Sequence, residues 1–150
     1  MQAEEYARRL NELFRGTLME SQGIRLMAAH NGHAAAELAM SPAVAQPTGL
    51  FHAGAIAALA DTTATAAGLS LTDPDGEGRR EFFPLAIQIS GNLVGNSREG
   101  KLISNAELIH HGRTTMVASV RIEDAAGKLV ANFNVTLLAP PASARTPVSS

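Results

Sequence analysis

The stretch HAGAIAALADTTATAAGL, His52 to Leu69, decides the fold of this 150-residue chain. It is too rich in alanine and too long for a strand, and its apolar residues would cover nearly the whole circumference of a helix. We therefore predict a buried helix over 52–69. Because most of its side chains are small, the elements around it must pack closely against its backbone.

The segments on both sides of this helix predict strands. Before it, the apolar runs 24–30 and 33–40 are joined at Asn31-Gly32, and an Asn-Gly pair between apolar runs is the strongest short signal for a β-hairpin. After it, apolar and polar residues alternate with a period of two, which is typical of strands. These later strands are predicted over 85–90, 101–110, 115–122 and 129–137. Short glycine-containing turns between them favour an antiparallel meander.

The sequence predicts a single domain over residues 1–139. Near its start, apolar residues recur at the spacing of one helical face, which predicts a helix over 3–15. The Pro- and Ser-rich tail 140–150 is predicted to be disordered. The fold class expected is α+β, with an antiparallel sheet wrapped around the long central helix so that both bury their apolar surfaces.

Composition and charge exclude several classes of function. Apolar residues make up 45% of the chain, which is enough to build a core. A net charge of -2 and a pI of about 6.2 argue against a nucleic-acid partner. The absence of cysteine excludes disulfides, thiolate zinc sites and a cysteine nucleophile. The sequence starts without a signal peptide and has no run of roughly 18 apolar residues, so we expect a cytoplasmic protein without a membrane partner.

Asp61 is the strongest functional signal in the sequence. It is the only Asp, Glu, Lys or Arg between Glu37 and Asp73, and it interrupts a helix that is predicted to be buried. Burying an unpaired carboxylate is unfavourable, so such a residue usually has a partner or a chemical role. Two interpretations stay open: a catalytic carboxylate, or a polar group on an exposed stripe or a subunit interface.

The start of the predicted helix is the second signal. Gly49 and Gly54 let the chain bend sharply, and the first N–H groups of a helix have no partner within it. Such groups can stabilise an oxyanion, although an ordinary glycine-containing helix start is the commoner case. Asp61 lies roughly 12 Å from residue 53 by helical rise, too far to share one reacting atom. A second subunit packed antiparallel would bring its own Asp61 to this helix start.

Other motifs carry weaker signals. The segment 95–101 has six of the spacings of a phosphate-binding loop, but Leu102 stands where a magnesium ligand should be and a strand follows, so we predict a hairpin turn. No Gly-x-Ser-x-Gly elbow is present, which weakens a serine hydrolase. No carboxylate stands at ligand spacing from a histidine, so no metal is expected. The five histidines are His30, His33, His52, His110 and His111.

The segment 46–65 resembles the signature of hotdog-fold acyl-CoA thioesterases of the PaaI-like and 4-hydroxybenzoyl-CoA thioesterase type. That signature is Asn or Gln, x, x, Gly, x, x, His-Gly-Gly, followed by a helical Asp or Glu. The matching residues here are Gln46, Gly49, His52, Ala53, Gly54, Asp61 and Thr65. Weaker likeness continues through 89–100, 111–113 and 124–131, so the resemblance covers roughly residues 20–138.

The resemblance implies a hotdog fold, in which a long helix lies inside a curved antiparallel sheet. It implies homodimers or homotetramers whose active sites are shared between two subunits. It also implies an acyl-CoA thioesterase that needs no cofactor or metal, with an acyl group such as phenylacetyl or hydroxybenzoyl.

The resemblance assigns a role to each site residue. Asp61 is the catalytic carboxylate, acting as a nucleophile or as a base on water, and Thr65 supplies a supporting hydroxyl. The backbone N–H of Ala53, within the motif that includes His52 and Gly54, polarises the thioester carbonyl. Gln46 orients the carbonyl or the water. Gly112 and Arg113 contact coenzyme A.

One departure from the signature favours a non-catalytic alternative, and two further alternatives also stay open. Position 53 is Ala where the family usually has Gly, and the added methyl group lies where the substrate comes closest to the backbone. A hotdog module that binds acyl-CoA without hydrolysing it is therefore one alternative. A hotdog dehydratase or hydratase that uses His52 is another, and a purely structural oligomer is a third.

Overall fold

The computed structural model describes residues 1–141, so residues 142–150 of the predicted tail lie outside the described part. The described residues form three α-helices and six strands. The helices are α1 (Ala3–Leu13), α2 (Leu18–Gln22) and α3 (Ala53–Thr72). The strands are β1 (Ile24–His30), β2 (His33–Ala39), β3 (Leu85–Leu93), β4 (Lys101–His111), β5 (Thr115–Asp124) and β6 (Leu129–Leu138).

The long helix α3 occupies the centre of the fold, as its composition predicts. It contacts all six strands, and a sheet can reach one helix from every strand only by curving around it. Its small residues allow this close approach: a Cβ atom added at Gly68 would lie 3.1 Å from the Pro84 side chain and 3.2 Å from that of Leu137. The predicted buried helix and hotdog architecture are therefore confirmed.

The six strands form one antiparallel sheet in the order β1-β2-β4-β5-β6-β3. The predicted meander is wrong at one strand, because β3 pairs with β6 at the far edge and not with β4. A period of two identifies a strand but not its neighbour. The predicted hairpin turn after β3 is therefore a crossover loop, residues 94–100. It passes three strand spacings, roughly 14 Å, which seven residues can span because they reach about 24 Å when extended.

The two edges of the sheet differ. The side-chain amide of Asn11 covers β1, since its Nδ2 donates to the Leu26 carbonyl oxygen at 2.8 Å and its Oδ1 accepts from the Leu26 N–H at 2.9 Å. Asn11 thus takes the place of a neighbouring strand. The β3 edge has no such cover within residues 1–141, and its large apolar side chains are exposed. They are Leu85, Ile87, Ile89 and Leu93.

The N-terminal helix is shorter than the predicted 3–15. It ends at Leu13, and the chain turns at Gly16, whose φ of 72° favours glycine. The short helix α2 that follows was not predicted, because five residues are too few to show a helical period. The buried hydroxyl of Tyr6 donates to the carbonyl oxygen of Asp73 at 2.8 Å, which holds α1 against the C-terminal end of α3.

Candidate active site

The N-terminal end of α3 is fixed by hydrogen bonds on both sides. His52 caps the helix, because its Nδ1 accepts from the Gly54 N–H at 2.8 Å. Its own N–H donates to the carbonyl oxygen of Val44 at 2.8 Å. The side chain before it, Phe51, is fully buried and anchors the segment in the core. Because the Nδ1 atom of His52 accepts a hydrogen bond, the proton of the neutral His52 ring lies on Nε2.

Ala53 offers a backbone donor at this helix start. The residue is exposed, and its N–H meets no acceptor within residues 1–141. As the first residue of α3 it lies at the positive end of the helix dipole. The Gly54 N–H, by contrast, is already used by His52. Of these two neighbouring amides, Ala53 is the one available to a ligand oxygen.

Gln46 belongs to the same loop. Its N–H donates to the Leu50 carbonyl oxygen at 2.9 Å and its carbonyl oxygen accepts from the Gly49 N–H at 2.9 Å, which closes a tight turn. The φ of Gly49 is 85°, so this turn favours glycine. The Gln46 side chain donates to the Thr48 hydroxyl at 2.7 Å. The structure thus brings Gln46 into the loop that ends at the start of α3.

Asp61 lies two turns further along α3, roughly 12 Å from Ala53 by helical rise. The side chain is half-buried, and its Oδ1 is buried with no hydrogen-bond partner in the described part of the chain. Burial raises the pKa of Asp61 above its ordinary value of 3.8, because the charged form loses its hydration. A buried carboxylate oxygen without a partner is unfavourable for folding, which favours a functional role or a partner outside this chain.

A cavity of about 190 Å³ opens beside Asp61. Thr65, one turn further on, lines the same cavity, so the structure brings these two predicted residues together. The other walls are almost entirely apolar and come from α1, α2, α3 and the segment before β3. The lining residues are Leu10, Phe14, Met19, Asp61, Thr62, Thr65, Ala66, Leu69 and Phe83.

The sequence does not predict the apolar walls of this cavity. The helical period places Leu10 and Phe14 on the apolar face of the predicted helix 3–15, but a period does not show which part of the core that face meets. Met19 belongs to α2, which carried no signal at all. Phe83 follows a polar loop and precedes β3. These residues meet only because α1 packs along β1 and is held to the C-terminal end of α3 by Tyr6.

Gly112 and Arg113 lie at the opposite end of α3 from Ala53. The Gly112 N–H donates to the Thr115 carbonyl oxygen at 2.8 Å in the turn between β4 and β5. The next residue, Met116, lies close to Gly68, roughly 22 Å along the helix from Ala53. One chain therefore does not bring the predicted coenzyme A contacts to the predicted carbonyl donor.

The histidines and the outer face of the sheet add no second centre. Among residues 1–141 no three His, Cys, Asp or Glu side chains lie close enough together to hold a metal ion. An open depression of about 500 Å³ crosses the outer face, but its walls are alanines and solvent-facing polar groups, and it lies on the face away from α3. No helix in this part of the chain is long and apolar enough to span a bilayer.

The chain is similar in sequence and in fold to known thioesterases. The sequence profile described as Thioesterase superfamily matches residues 48–131. A 1,4-dihydroxy-2-naphthoyl-CoA hydrolase of Listeria monocytogenes is 28% identical over 120 residues, which are 80% of this chain and 93% of that protein. The crystal structure of thioesterase HI1161 from Haemophilus influenzae superimposes with a TM-score of 0.78 at 26% identity, over 92% of this chain and 94% of that one. A mutant of thioesterase PA1618 from Pseudomonas aeruginosa gives a TM-score of 0.80 at 24% identity, over 90% and 94%, a likeness of fold.

Proposed function

Because this chain belongs to the thioesterase superfamily, we propose that it hydrolyses acyl-CoA thioesters whose acyl group is compact and aromatic, such as phenylacetyl or hydroxybenzoyl. The reaction class is that of the family: a thioester and water give a carboxylic acid and a thiol. The observation that carries the proposal is the unpaired Asp61 carboxylate at the wall of an otherwise apolar cavity.

The size and lining of the cavity support an aromatic acyl group. An apolar cavity of about 150 Å³ is large enough to bind benzene, and the one beside Asp61 measures about 190 Å³. Phe14 and Phe83 contribute aromatic walls that suit offset or edge-to-face packing against a ring. The Listeria relative is named for a substrate with a bicyclic aromatic acyl group.

The chemistry follows from two groups. As the thioester carbonyl carbon is attacked, negative charge develops on its oxygen, and the Ala53 N–H at the helix start stabilises that charge. Asp61 either removes a proton from the attacking water or attacks the carbon itself to form a mixed anhydride that water then cleaves. In both routes the carbon–sulfur bond breaks and the coenzyme A thiolate leaves and takes up a proton. Thr65 and Gln46 are proposed to orient the carboxylate and the carbonyl or water.

The two groups come together if two chains pair. Ala53 and Asp61 lie roughly 12 Å apart on one helix, whereas a partner helix packed antiparallel would present its own Asp61 to Ala53. The open β3 edge and its exposed apolar side chains support pairing of two sheets along this strand. Such pairing would also carry the partner's Arg113 toward the Ala53 end. We propose a homodimer, or a homotetramer built from two such pairs. The cytoplasmic location stays a prediction.

Release of free thiol from a panel of acyl-CoAs tests the proposal. Phenylacetyl-CoA and hydroxybenzoyl-CoA are expected to be hydrolysed faster than a medium-chain acyl-CoA. Asp61→Asn is expected to lower kcat by roughly 100-fold or more while the protein stays folded, the scale of losing a positioned base or nucleophile. Asp75→Asn is the matched control, because Asp75 is exposed in the loop after α3 and its substitution changes the charge equally.

The alternatives give other outcomes in the same assay. A module that only binds acyl-CoA would retain the ligand in equilibrium dialysis without releasing thiol. A dehydratase or hydratase would change the acyl chain without releasing thiol, and its activity would depend on His52. Thiol release that is unchanged in Asp61→Asn would contradict the assigned role of the carboxylate.

A single turnover in water labelled with ¹⁸O separates the two routes for Asp61. With Asp61 as a base, the label enters the carboxylic acid product directly. With Asp61 as a nucleophile, the first acid released can carry an unlabelled oxygen from the enzyme, and the label appears in the peptide that contains Asp61. Mass spectrometry of the product and the digested protein distinguishes these results.

A further inference from the structure

The crossover loop between β3 and β4 passes the N-terminal end of α3. Because β3 lies at the far edge of the sheet, residues 94–100 must run across the sheet end to reach β4. The start of α3 is at this same end: the Phe51 N–H lies 3.3 Å from the Ser97 carbonyl oxygen. The topology therefore places this loop beside the residues that lead into the helix.

Asn96 in this loop binds both backbone groups of Phe51. Its Nδ2 donates to the Phe51 carbonyl oxygen at 2.9 Å, and its Oδ1 accepts from the Phe51 N–H at 3.0 Å. Its Oδ1 also accepts from the Ser97 N–H at 2.7 Å, which fixes the orientation of the amide. A side-chain amide is the group that can donate and accept in this paired way, as a neighbouring strand would.

The loop itself is anchored to the sheet just before Asn96. The Gly95 N–H donates to the Val130 carbonyl oxygen at 3.0 Å. A Cβ atom at Gly95 would lie 2.8 Å from the Leu129 carbonyl oxygen, so only glycine allows this close approach. The bond between Gly95 and β6 therefore fixes where Asn96 lies, and the bonds of Asn96 in turn fix the backbone of Phe51 relative to β6.

We propose that Asn96 is a positioning residue for the Ala53 N–H. Phe51 and His52 are the two residues before Ala53, and rotation of their backbone would swing the Ala53 N–H away from a carbonyl oxygen. The Phe51 ring holds the segment in the core, while Asn96 fixes both Phe51 backbone groups. The inference rests on the proposed function, since it takes the Ala53 N–H as the donor to the thioester carbonyl.

Kinetics of two variants test the role of Asn96. Asn96→Asp keeps the shape but replaces the donor with an anionic oxygen facing the Phe51 carbonyl oxygen, and Asn96→Ala removes both bonds. Each is expected to lower kcat roughly tenfold or more with KM little changed, because displacement of a catalytic donor by about 1 Å can cost about 100-fold in rate. A folded Asn96→Asp protein whose kcat stays within twofold of the wild type would overturn the proposal.

Ser70→Ala is the matched structural control. The buried Ser70 hydroxyl accepts from the Gly32 N–H at 2.8 Å, so its loss also leaves a loop N–H unpaired. It lies roughly 25 Å from Ala53 along α3. We expect Ser70→Ala to lower the melting temperature without lowering kcat. An equal loss of kcat in Ser70→Ala would show that general destabilisation explains the effect, and would also overturn the proposal.

Amide hydrogen exchange gives a readout that does not depend on activity. In Asn96→Ala, exchange in the peptide 49–56 is expected to become roughly tenfold faster or more, while Ser70→Ala leaves it unchanged. Unchanged exchange in Asn96→Ala would overturn the proposal even if activity fell. If the wild-type protein releases no thiol from any acyl-CoA, the proposed function fails, and the exchange result still decides whether Asn96 fixes the helix start.

Discussion

Phe14, the residue directly after α1, and Asp61 of α3 line one cavity, although they lie far apart in the sequence. The N-terminal helix thus forms a wall of the candidate active site as well as a cover for the sheet edge. The acyl group is therefore expected to meet a surface built partly from residues outside the profile match, which begins at residue 48.

Truncation of Phe14 tests this wall. Phe14→Ala is expected to lower kcat/KM for aromatic acyl-CoAs several-fold and to affect bulkier acyl groups less, because the cavity gains volume. Steady-state kinetics over the acyl-CoA panel measure the change. Leu18→Ala is the control, since Leu18 is an exposed apolar residue of α2 that does not line the cavity. A uniform loss for all substrates in Phe14→Ala would argue against a role in selectivity.

The pH dependence of the rate reports on Asp61. The carboxylate must be charged to act as a base or nucleophile, and burial raises the pKa of Asp61 above 3.8. We therefore expect kcat/KM to fall on the acid side at a pH above that ordinary value. The measurement is kcat/KM against pH in buffers of constant ionic strength. A rate that stays constant down to pH 3.8 in folded protein would be inconsistent with a buried catalytic Asp61.

The same burial predicts an effect on stability. Since folding raises the pKa of Asp61, the folded state binds the proton more tightly, and the wild type loses stability as the pH rises through that pKa. Asp61→Asn removes this dependence, so we expect it to be more stable than the wild type at pH 7. The advantage should shrink in acid. Each kcal/mol gained would raise Tm by roughly 2–4 °C in a chain of this length; a lower Tm at pH 7 would contradict the prediction.

The exposed edge strand predicts how the chain assembles. Ile89 lies on the face of β3 that points toward α3, paired with the buried Val135 of β6, yet it is 45% exposed. Ile89→Lys is expected to give a folded monomer with little thioesterase activity, as measured by light scattering and thiol release. Ser90→Lys is the control, because Ser90 lies on the outer face beside Asn134. A wild-type monomer at micromolar concentration would rule out the shared site.

Arg113 is predicted to serve binding of coenzyme A. It is exposed in the turn between β4 and β5, remote from Ala53 within one chain. Arg113→Ala is expected to raise KM several-fold with kcat little changed, and the effect should shrink in high salt because an exposed ion pair is screened. Arg121→Ala on the outer face of the sheet is the control. A fall in kcat at constant KM would instead assign Arg113 to the reacting centre.

Much of the fold could be predicted because its patterns are local. The alanine-rich helix, the Asn31-Gly32 hairpin and the alternating strands each have a period or a turn that short segments display. The place of β3 could not be predicted, because its pairing with β6 joins residues 38 to 53 positions apart and depends on how the sheet closes around α3.

The site was predictable to a similar extent. Asp61 stands out as a lone charge in an apolar helix, and the motif around Ala53 resembles a known signature. The walls at Phe14 and Phe83, and the contact between Asn96 and Phe51, depend on chain crossings that no spacing encodes. The roles of these residues depend on the three-dimensional positions of the crossover loop and of α1.

The two different edges of the sheet limit how many chains can join by pairing their edge strands. Asn11 occupies the backbone groups of Leu26 and so obstructs the addition of a second chain along β1, whereas the β3 edge is open within residues 1–141. Joining two identical molecules along β3 uses both open edges at once and leaves a continuous sheet with a blocked strand at each end. In the proposed dimer no open edge is left for a third chain, so pairing along β3 would end at two molecules and would not lead to fibres.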